Sequence, residues 1–362
     1  MITVLLVVII LIFLIVVHEL GHFVAAKMFG VKVEEFGVGY PPRAFLIGTW
    51  GGTEYTINWI PFGGFVRLFG EDPDKAARGR GSLVDSPRWK QAIILVAGVT
   101  MNALAAWFLM TGAYMLGVAH PVAQTGPDTR LIVTDVIDIS PAAAAGLRAG
   151  DTVVSLSDED GATLSNPTPQ SVLDFVQLRG GEEIVVTFLR GGITATALLR
   201  PAHAVIAEQS GRPAIGIGLA LVTSTALPLR EAAGEALYQT RATFRVVTAG
   251  LGQIIGDALR GRPDLEEVVG PIGLVSVVGE AADSGWGYVL ALASFISVNL
   301  VIINLIPVPA LDGGRLAIVA IESVMRRSAP RLALQSLNAL GILLIAVLMI
   351  TVTYQDIARL IP

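Results

Sequence analysis

The stretch LIFLIVVHELGHFVAAK, residues 11–27, places two histidines and a glutamate inside an otherwise apolar segment. Ionisable groups are costly in the hydrocarbon of a bilayer, so three of them in one apolar segment predict a functional site. His18 and His22 are four residues apart and therefore share one face of a helix, where both imidazoles can bind the same metal ion. Glu19 lies on a neighbouring face, where it is poorly placed as a ligand but well placed to take a proton from a bound water.

The composition of the whole chain indicates a membrane protein. Of its 362 residues, 53% are hydrophobic and only 15% are charged, whereas about a quarter of the residues in soluble domains are charged. The net charge of −5 and the lack of a basic stripe argue against a nucleic-acid partner. Since the chain has no cysteine, a metal site must use histidines and carboxylates.

Four segments are predicted to cross the lipid bilayer, because each is apolar over the roughly 20 residues that a helix needs to span it. They cover about residues 2–26, 91–118, 286–308 and 332–354. No small-residue cleavage site follows the first segment, which disfavours a signal peptide. A further run, 246–259, is short, follows Arg245 directly and contains Asp257. We expect an amphipathic helix there, on the membrane surface or on a domain.

The distribution of basic residues predicts the orientation in the membrane. Lys and Arg are concentrated in the connections between spans one and two and between spans three and four. Both connections are therefore predicted to be cytoplasmic, and the two termini and the long segment 120–285 are predicted to lie on the other side.

The long segment contains a small domain of mixed α/β type. Residues 130–158 alternate apolar and polar side chains as half-buried strands do, and residues 182–190 and 193–201 form two further strand patterns around an RGG turn. Residues 169–178 indicate a short helix. The predicted organisation is a first membrane half (1–119, with a β-loop at 52–70), an α/β domain (120–205), a linker with amphipathic helices (206–284) and a second membrane half (285–362).

A third metal ligand is expected in NLIPVPALDGGR, residues 304–315, at the end of the third span. The two prolines end the helix, and the two glycines let the backbone turn closely behind Asp312. Asp312 is therefore the preferred ligand, with a simple helix cap as the competing interpretation. Glu34 and Glu35 are alternatives, but they lie in a polar loop beyond the first span.

These motifs resemble the site-2 protease family of intramembrane zinc metalloproteases, above all its bacterial branch that cuts membrane-anchored anti-sigma factors. The resemblance rests on HELGH, on NLIPVPALDGGR and on the domain inserted between spans two and three, and it covers essentially the whole chain. It implies that His18, His22 and Asp312 bind Zn²⁺ and that Glu19 is the general base. It also places Asn304 near the substrate.

The same resemblance suggests two binding regions. SPAAAAGLRAGD, residues 140–151, is similar to part of a PDZ domain, which binds an extended peptide at a sheet edge, and it places Gly146 and Leu147 near that peptide. In the family, a β-loop at the position of EYTINWIPFGGFVRL, residues 54–68, dips into the membrane and pairs with the substrate. Gly63, Gly64 and Phe65 are the candidate contacts, and an ordinary cytoplasmic hairpin is the competing interpretation.

Three features receive only a structural interpretation. Asn102, in VAGVTMN on the second span, is expected to serve close helix packing. His120 and His203 are expected to be solvated surface residues. The stretch GPIGLVSVVGEA, residues 270–281, resembles a stretch of the family before the third span, but no chemical role is predicted for it.

The predicted function is that of an α-helical, four-span endopeptidase that cuts single-span membrane proteins within the bilayer. The resemblance implies a bacterial inner membrane, with the termini and the PDZ-like domain on the periplasmic side. It also implies substrates that another protease has first shortened. A membrane-anchored PDZ scaffold with a non-catalytic metal site is the alternative, although such a site needs no base like Glu19. A transporter is disfavoured, because the chain has no evident internal repeat.

Overall fold

The computed structural model describes residues 2–71, 79–126, 128–203, 211–261, 268–327 and 330–360. The chain forms two compact units, one made of Met1–Leu116 with Leu227–Pro362 and the other of Gly117–Ala226. The elements are α1 (Ile2–Met28), β1 (Val33–Trp50), β2 (Thr53–Leu68), α2 (Arg88–Met115), β3 (His120–Pro121), β4 (Arg130–Val136), α3 (Pro141–Ala144), β5 (Thr152–Asp158), β6 (Thr163–Ser165), α4 (Pro169–Gln177), β7 (Ile184–Arg190), β8 (Ile193–Leu199), β9 (Ile217–Thr223), α5 (Leu229–Leu259), α6 (Pro271–Ser284), α7 (Trp286–Leu305), α8 (Asp312–Met325) and α9 (Arg331–Leu360).

Among the described residues, four helices of the first unit are long and apolar enough to cross a membrane: α1, α2, α7 and α9. They coincide with the four predicted spans. The third is shorter than predicted and ends at Leu305, because the backbone at Ile306 turns to an extended conformation just before Pro307. Helices α1 and α2 cross closely at Gly21, where a methyl group would overlap the carbonyl oxygen of Ala97.

Helix α5 is longer than the predicted amphipathic helix, and it packs on two of the long apolar helices. It is a helix of 31 residues, of which the predicted stretch 246–259 is only the second half. The indole N–H of Trp107 on α2 donates to the carbonyl oxygen of Ala233 at 2.9 Å. Further along, Phe244, Val247 and Leu251 pack against apolar residues of α2 and α7. The helix therefore packs along two of the candidate spans, because one of its faces is apolar over several turns.

The stretch 270–281 has a structural role that the sequence did not predict. The carboxylate of Asp356, on α9, accepts hydrogen bonds from the backbone N–H groups of Gly270, Ile272 and Gly273 at 3.1, 3.1 and 2.8 Å. It thereby satisfies free N–H groups at the start of α6. A methyl group at Gly270 would lie 2.7 Å from a methyl carbon of Val352, so this close approach requires glycine. The stretch thus attaches α6 to α9.

Strands β1 and β2 form a sheet beside α1. Residues 33–38 pair with residues 64–68 on one side and with residues 54–57 on the other. β2 (Thr53–Leu68) lies within the predicted β-loop at 52–70, whereas β1 was not predicted. Within the described part of the chain, no other strand pairs with residues 64–68, so this segment is an edge of the sheet.

The second unit has a sheet in the order β3-β9-β4-β5-β7-β8, with β6 paired to β5. The strands predicted at 182–190 and 193–201 and the helix predicted at 169–178 are confirmed as β7, β8 and α4. The predicted end of the domain at 205 was wrong. β9 pairs with β4 along most of its length and extends the unit to Ala226.

The buried carboxylate of Asp151 pairs with the half-exposed side chain of Arg190 at one corner of this unit. Asp151 accepts hydrogen bonds from the guanidinium of Arg190 at 2.7 Å and from the backbone N–H of Arg148 at 2.8 Å. Burial raises the pKa of the Asp151 carboxyl, but these hydrogen bonds outweigh it, and the pKa lies below its usual value.

The two histidines outside the first span differ in environment. His203 is exposed, as predicted. The prediction for His120 was wrong, because its side chain is only 5% exposed and pairing of β3 with β9 draws this residue into the sheet.

Candidate metal centre

Three side chains converge between α1 and the start of α8. Oδ2 of Asp312 lies 2.9 Å from Nε2 of His18 and 3.2 Å from Nε2 of His22, and the two Nε2 atoms are 3.1 Å apart. His18 and Asp312 are 294 positions apart in the sequence. Two ligand atoms on a tetrahedral zinc, each about 2.0–2.1 Å from the ion, are about 3.3 Å apart, close to these separations. Within the described part of the chain, this is the one group of three such side chains placed to share an ion.

The alternative carboxylates lie elsewhere. Glu35 is buried in the β1–β2 sheet, where it accepts a hydrogen bond from Thr56 at 2.7 Å and pairs with Arg67. Glu34 is exposed. Neither belongs to the group around His18.

The backbone around Asp312 explains how this residue reaches the histidines. Asp312 is the first residue of α8, and the N-cap position is occupied by Leu311, so the interpretation of Asp312 as a helix cap was wrong. Methyl groups at Gly313 and Gly314 would overlap the carbonyl oxygens of Ile306 and Val308. The glycine pair therefore lets the first turn of α8 pack directly on the extended segment that follows α7.

The ring of His22 is held in the tautomer that a metal needs. Its Nδ1 lies 2.7 Å from the carbonyl oxygen of Ile94. A carbonyl can only accept, so Nδ1 carries the proton and Nε2 presents its lone pair to Asp312 and His18.

Gly98 on α2 provides the space for the two imidazoles. A methyl group at this position would overlap Nε2 of His22 and would lie 2.8 Å from Nε2 of His18. Two imidazoles and one carboxylate in such a cradle match the three protein ligands of a catalytic zinc site, which leaves a further position for water or substrate. The residues present therefore fit zinc.

Glu19 lies next to these three side chains but is not one of the candidate metal ligands. Its carboxylate interacts electrostatically with His22 and Asp312 and with the backbone N–H of Val66 on β2. The methyl position of Gly64 is 3.6 Å from Cγ of Glu19. Glu19 thus lies between the three converging side chains and the edge of the β-sheet, where a base would act on a water and a peptide.

The residues predicted to bind substrate are only partly brought together. Gly63 lines a groove of about 250 Å³ with Tyr40 and three apolar residues of α1: Leu11, Ile12 and Ile15. Phe65 stacks on Tyr40, with 6.5 Å between the ring centres. Asn304 is half-buried in the last turn of α7, and its place near a substrate stays a prediction.

The two residues predicted to bind a peptide in the second unit lie in its hydrophobic core and in the turn before it. Leu147 is 3% exposed and belongs to the hydrophobic core, and Gly146 adopts a φ of 79° in the turn before it. The Leu147 side chain therefore packs in the core and is not available to contact a peptide. A cleft of about 610 Å³ in this unit lies between residues 122–125 and the first turn of α4.

One polar residue near the site was interpreted from the sequence as a packing residue only. The side chain of Asn102 is fully buried, and its amide nitrogen lies 3.3 Å from Nδ1 of His18. Asn102 lies one helical turn after Gly98, so both belong to the face of α2 that meets α1. An amide inside an apolar span is the signal that could have identified it.

Sequence comparisons with known proteins point to one protein family over most of the chain. The sequence model of peptidase family M50 matches residues 6–348. CPE1693 of Clostridium perfringens, which is named as a zinc metalloprotease, is 32% identical over 345 residues, or 95% of each chain. Zinc metalloprotease RasP of Geobacillus kaustophilus is 28% identical over 413 residues, or 94% of each chain. The PDZ domain of the SdrC-like protein Lmo2051 from Listeria monocytogenes has a TM-score of 0.22 and 22% identity, and it covers 27% of this chain and 93% of that domain.

Proposed function

Because this chain belongs to peptidase family M50, the site-2 protease family, we propose that it hydrolyses peptide bonds within the transmembrane segments of other membrane proteins. The chain is a zinc metalloprotease, similar to its relatives over nearly their whole length. The observation that carries the proposal is the convergence of His18, His22 and Asp312 beside Glu19, with both histidines and the glutamate on an apolar helix.

We assign the roles in the reaction from this geometry. His18, His22 and Asp312 would hold a zinc ion, which when bound would supply a Lewis acid for the scissile carbonyl and would make a water molecule more acidic. The Glu19 carboxylate accepts a proton from the attacking water and later delivers it to the nitrogen of the leaving amine. The hydrogen bond from His22 to the carbonyl of Ile94 keeps the imidazole in one orientation throughout.

The substrate is held by the sheet edge at residues 64–68. A transmembrane helix buries its peptide groups in its own hydrogen bonds, so it must be unwound before hydrolysis. An extended peptide can then add to the edge as a further strand, with its side chains over the apolar groove. The position of Gly64 beside Glu19 supports this, because it brings the added strand next to the base.

Gly64→Val tests this contact. The first carbon of the new side chain would lie 3.2 Å from the carbonyl oxygen of Gly37, 3.6 Å from Cγ of Glu19 and 3.7 Å from Cγ2 of Ile15. We expect kcat/KM for a membrane-embedded substrate to fall by about tenfold or more, since misplacing a substrate by an ångström costs up to about 100-fold. Bound zinc stays as in wild type. Thr49→Val, on the part of the sheet that pairs with Glu54, is the matched control and keeps full activity. An unchanged kcat/KM for Gly64→Val contradicts the role of this edge.

The substrates, in this proposal, are single-span proteins of the anti-sigma-factor type that another protease first shortens. The apolar helices support a location in the inner membrane. In this proposal the β1–β2 sheet is cytoplasmic, and the termini and the second unit are periplasmic; the basic residues around the sheet support this orientation. The second unit, a PDZ-like domain in this proposal, excludes substrates that have not been shortened.

Removal of the metal tests the proposed function. Purified protein in lipid vesicles cleaves a single-span substrate, and a zinc chelator such as 1,10-phenanthroline abolishes the cleavage. Zinc restores it and Mg²⁺ does not, because the site offers two nitrogens and one carboxylate oxygen. A membrane-anchored PDZ scaffold predicts no cleavage under any of these conditions. Cleavage that survives complete removal of zinc contradicts the proposal.

A further inference from the structure

Asn102 is a buried polar residue whose role the three proposed metal ligands do not explain. The side chain is 0% exposed in the apolar interior between α1 and α2. Its nitrogen faces Nδ1 of His18 at 3.3 Å, and its oxygen has no hydrogen-bond partner among the described residues. A buried amide with an unpaired oxygen costs free energy, so its presence indicates a use.

The backbone of Asn102 is itself fixed by α7. The hydroxyl of Ser297 donates to the carbonyl oxygen of Asn102 at 2.8 Å, and the hydroxyl of Ser294 donates to that of Ala106, one turn further, at 2.7 Å. Both serines are buried. These bonds hold the carbonyl side of α2 against α7, so the amide of Asn102 cannot easily withdraw from His18.

The chemistry of His18 shows what the amide can do. An imidazole that binds zinc through Nε2 carries its proton on Nδ1, and this N–H needs an acceptor. A half-turn of the Asn102 amide exchanges its oxygen and nitrogen without changing its shape. The unpaired oxygen then accepts the proton of Nδ1, just as the carbonyl of Ile94 accepts that of His22. Each imidazole would thus be oriented by an acceptor on α2.

We propose that Asn102 is a positioning residue that orients His18 for zinc by accepting a hydrogen bond from its Nδ1. The proposal rests on the proposed function, because it assumes that His18 binds zinc. Asparagine suits both tautomers of His18, since its amide donates to an unprotonated Nδ1 and accepts from a protonated one. Aspartate can only accept, and leucine, of similar size, can do neither.

Zinc affinity in the purified protein, measured by competition with a chromogenic chelator, tests this inference without any substrate. We expect Asn102→Leu to weaken zinc binding by about 10–100-fold, as is typical for lost partners of metal-binding histidines. Asn102→Asp binds zinc as tightly as wild type or more tightly. In the Co²⁺-loaded proteins, the visible absorption of Asn102→Asp matches wild type, whereas that of Asn102→Leu is shifted.

Thr111→Val is the matched control, because Thr111 is also buried on α2 and donates only to Trp107 of its own helix. It keeps wild-type zinc affinity. Zinc affinity of Asn102→Leu equal to wild type overturns the inference, and so does Asn102→Asp weakened as much as Asn102→Leu. If Asn102→Leu does not fold, Asn102→Asp decides alone, and weaker binding overturns the inference. Zinc affinity that His22→Ala leaves unchanged overturns the proposed metal site as well.

Discussion

Glu19→Gln is expected to abolish cleavage while the protein keeps its zinc. The rate of hydrolysis of a membrane-embedded substrate should fall by about 10²–10⁴-fold or more, the range that a general acid–base group contributes. The reason is that a carboxamide has the size of the carboxylate but cannot accept a proton from water. Zinc should remain bound, because the ligand group consists of His18, His22 and Asp312. Zinc content and the single-turnover rate, measured on the same preparation, check this.

Glu34→Gln provides the matched control for this substitution. Glu34 is exposed on β1, and its conversion removes the same charge without touching the metal site. It should cleave at the wild-type rate. Substantial cleavage by Glu19→Gln would mean that another group moves the proton. Loss of zinc from Glu19→Gln would mean that Glu19 holds the metal rather than acting on water.

Gly98→Ala is expected to be the most damaging methyl group that can be added to α2. The new carbon would overlap Nε2 of His22 and lie 2.8 Å from Nε2 of His18, where carbon and its neighbours prefer separations of about 3.5–4.0 Å. His22 cannot retreat without breaking its hydrogen bond to Ile94. We expect zinc affinity to fall by about 100-fold or more, a larger effect than the loss of one outer partner, and cleavage to fall with it.

Gly112→Ala, on the same helix, separates this steric effect from a general effect on α2. The nearest atom to its new methyl group is the end of the Leu290 side chain at 3.2 Å, which can move. Alanine also stabilises a helix relative to glycine by about 0.4–1 kcal/mol. Gly112→Ala should therefore unfold at the same or a higher temperature than wild type and keep its zinc. If Gly98→Ala binds zinc as tightly as Gly112→Ala, the two imidazoles do not share the cradle that we describe.

Much of the architecture could be predicted from local patterns in the sequence. Length and hydropathy identify the four spans, and the alternation of apolar residues identifies β7 and β8. Spacing along a helix places His18 and His22 on one face. The prolines and glycines around Asp312 indicated a break in the chain at which this carboxylate turns inward. Each of these patterns depends on residues that are near one another in the sequence.

Other features could not be predicted, because each depends on a partner that is distant in the sequence. His120 is buried because β3 pairs with β9, and α5 lies along the candidate spans because α2 and α7 complement its apolar face. The edge at residues 64–68 exists because residues 33–38 pair with it, from a strand that was not predicted.

The sequence by itself determined which residues are proposed to carry the chemistry and which segments are apolar enough to cross a membrane. The tertiary structure alone decided that Asp312 meets the histidines and that Gly98 makes room for them. It also decided that Asn102 faces His18 across 84 positions of sequence. The physical reason is that composition and periodicity set the free energy of burying a segment. The approach of one helix to another depends instead on packing along both, which fixes the hydrogen-bond partners of each buried polar atom.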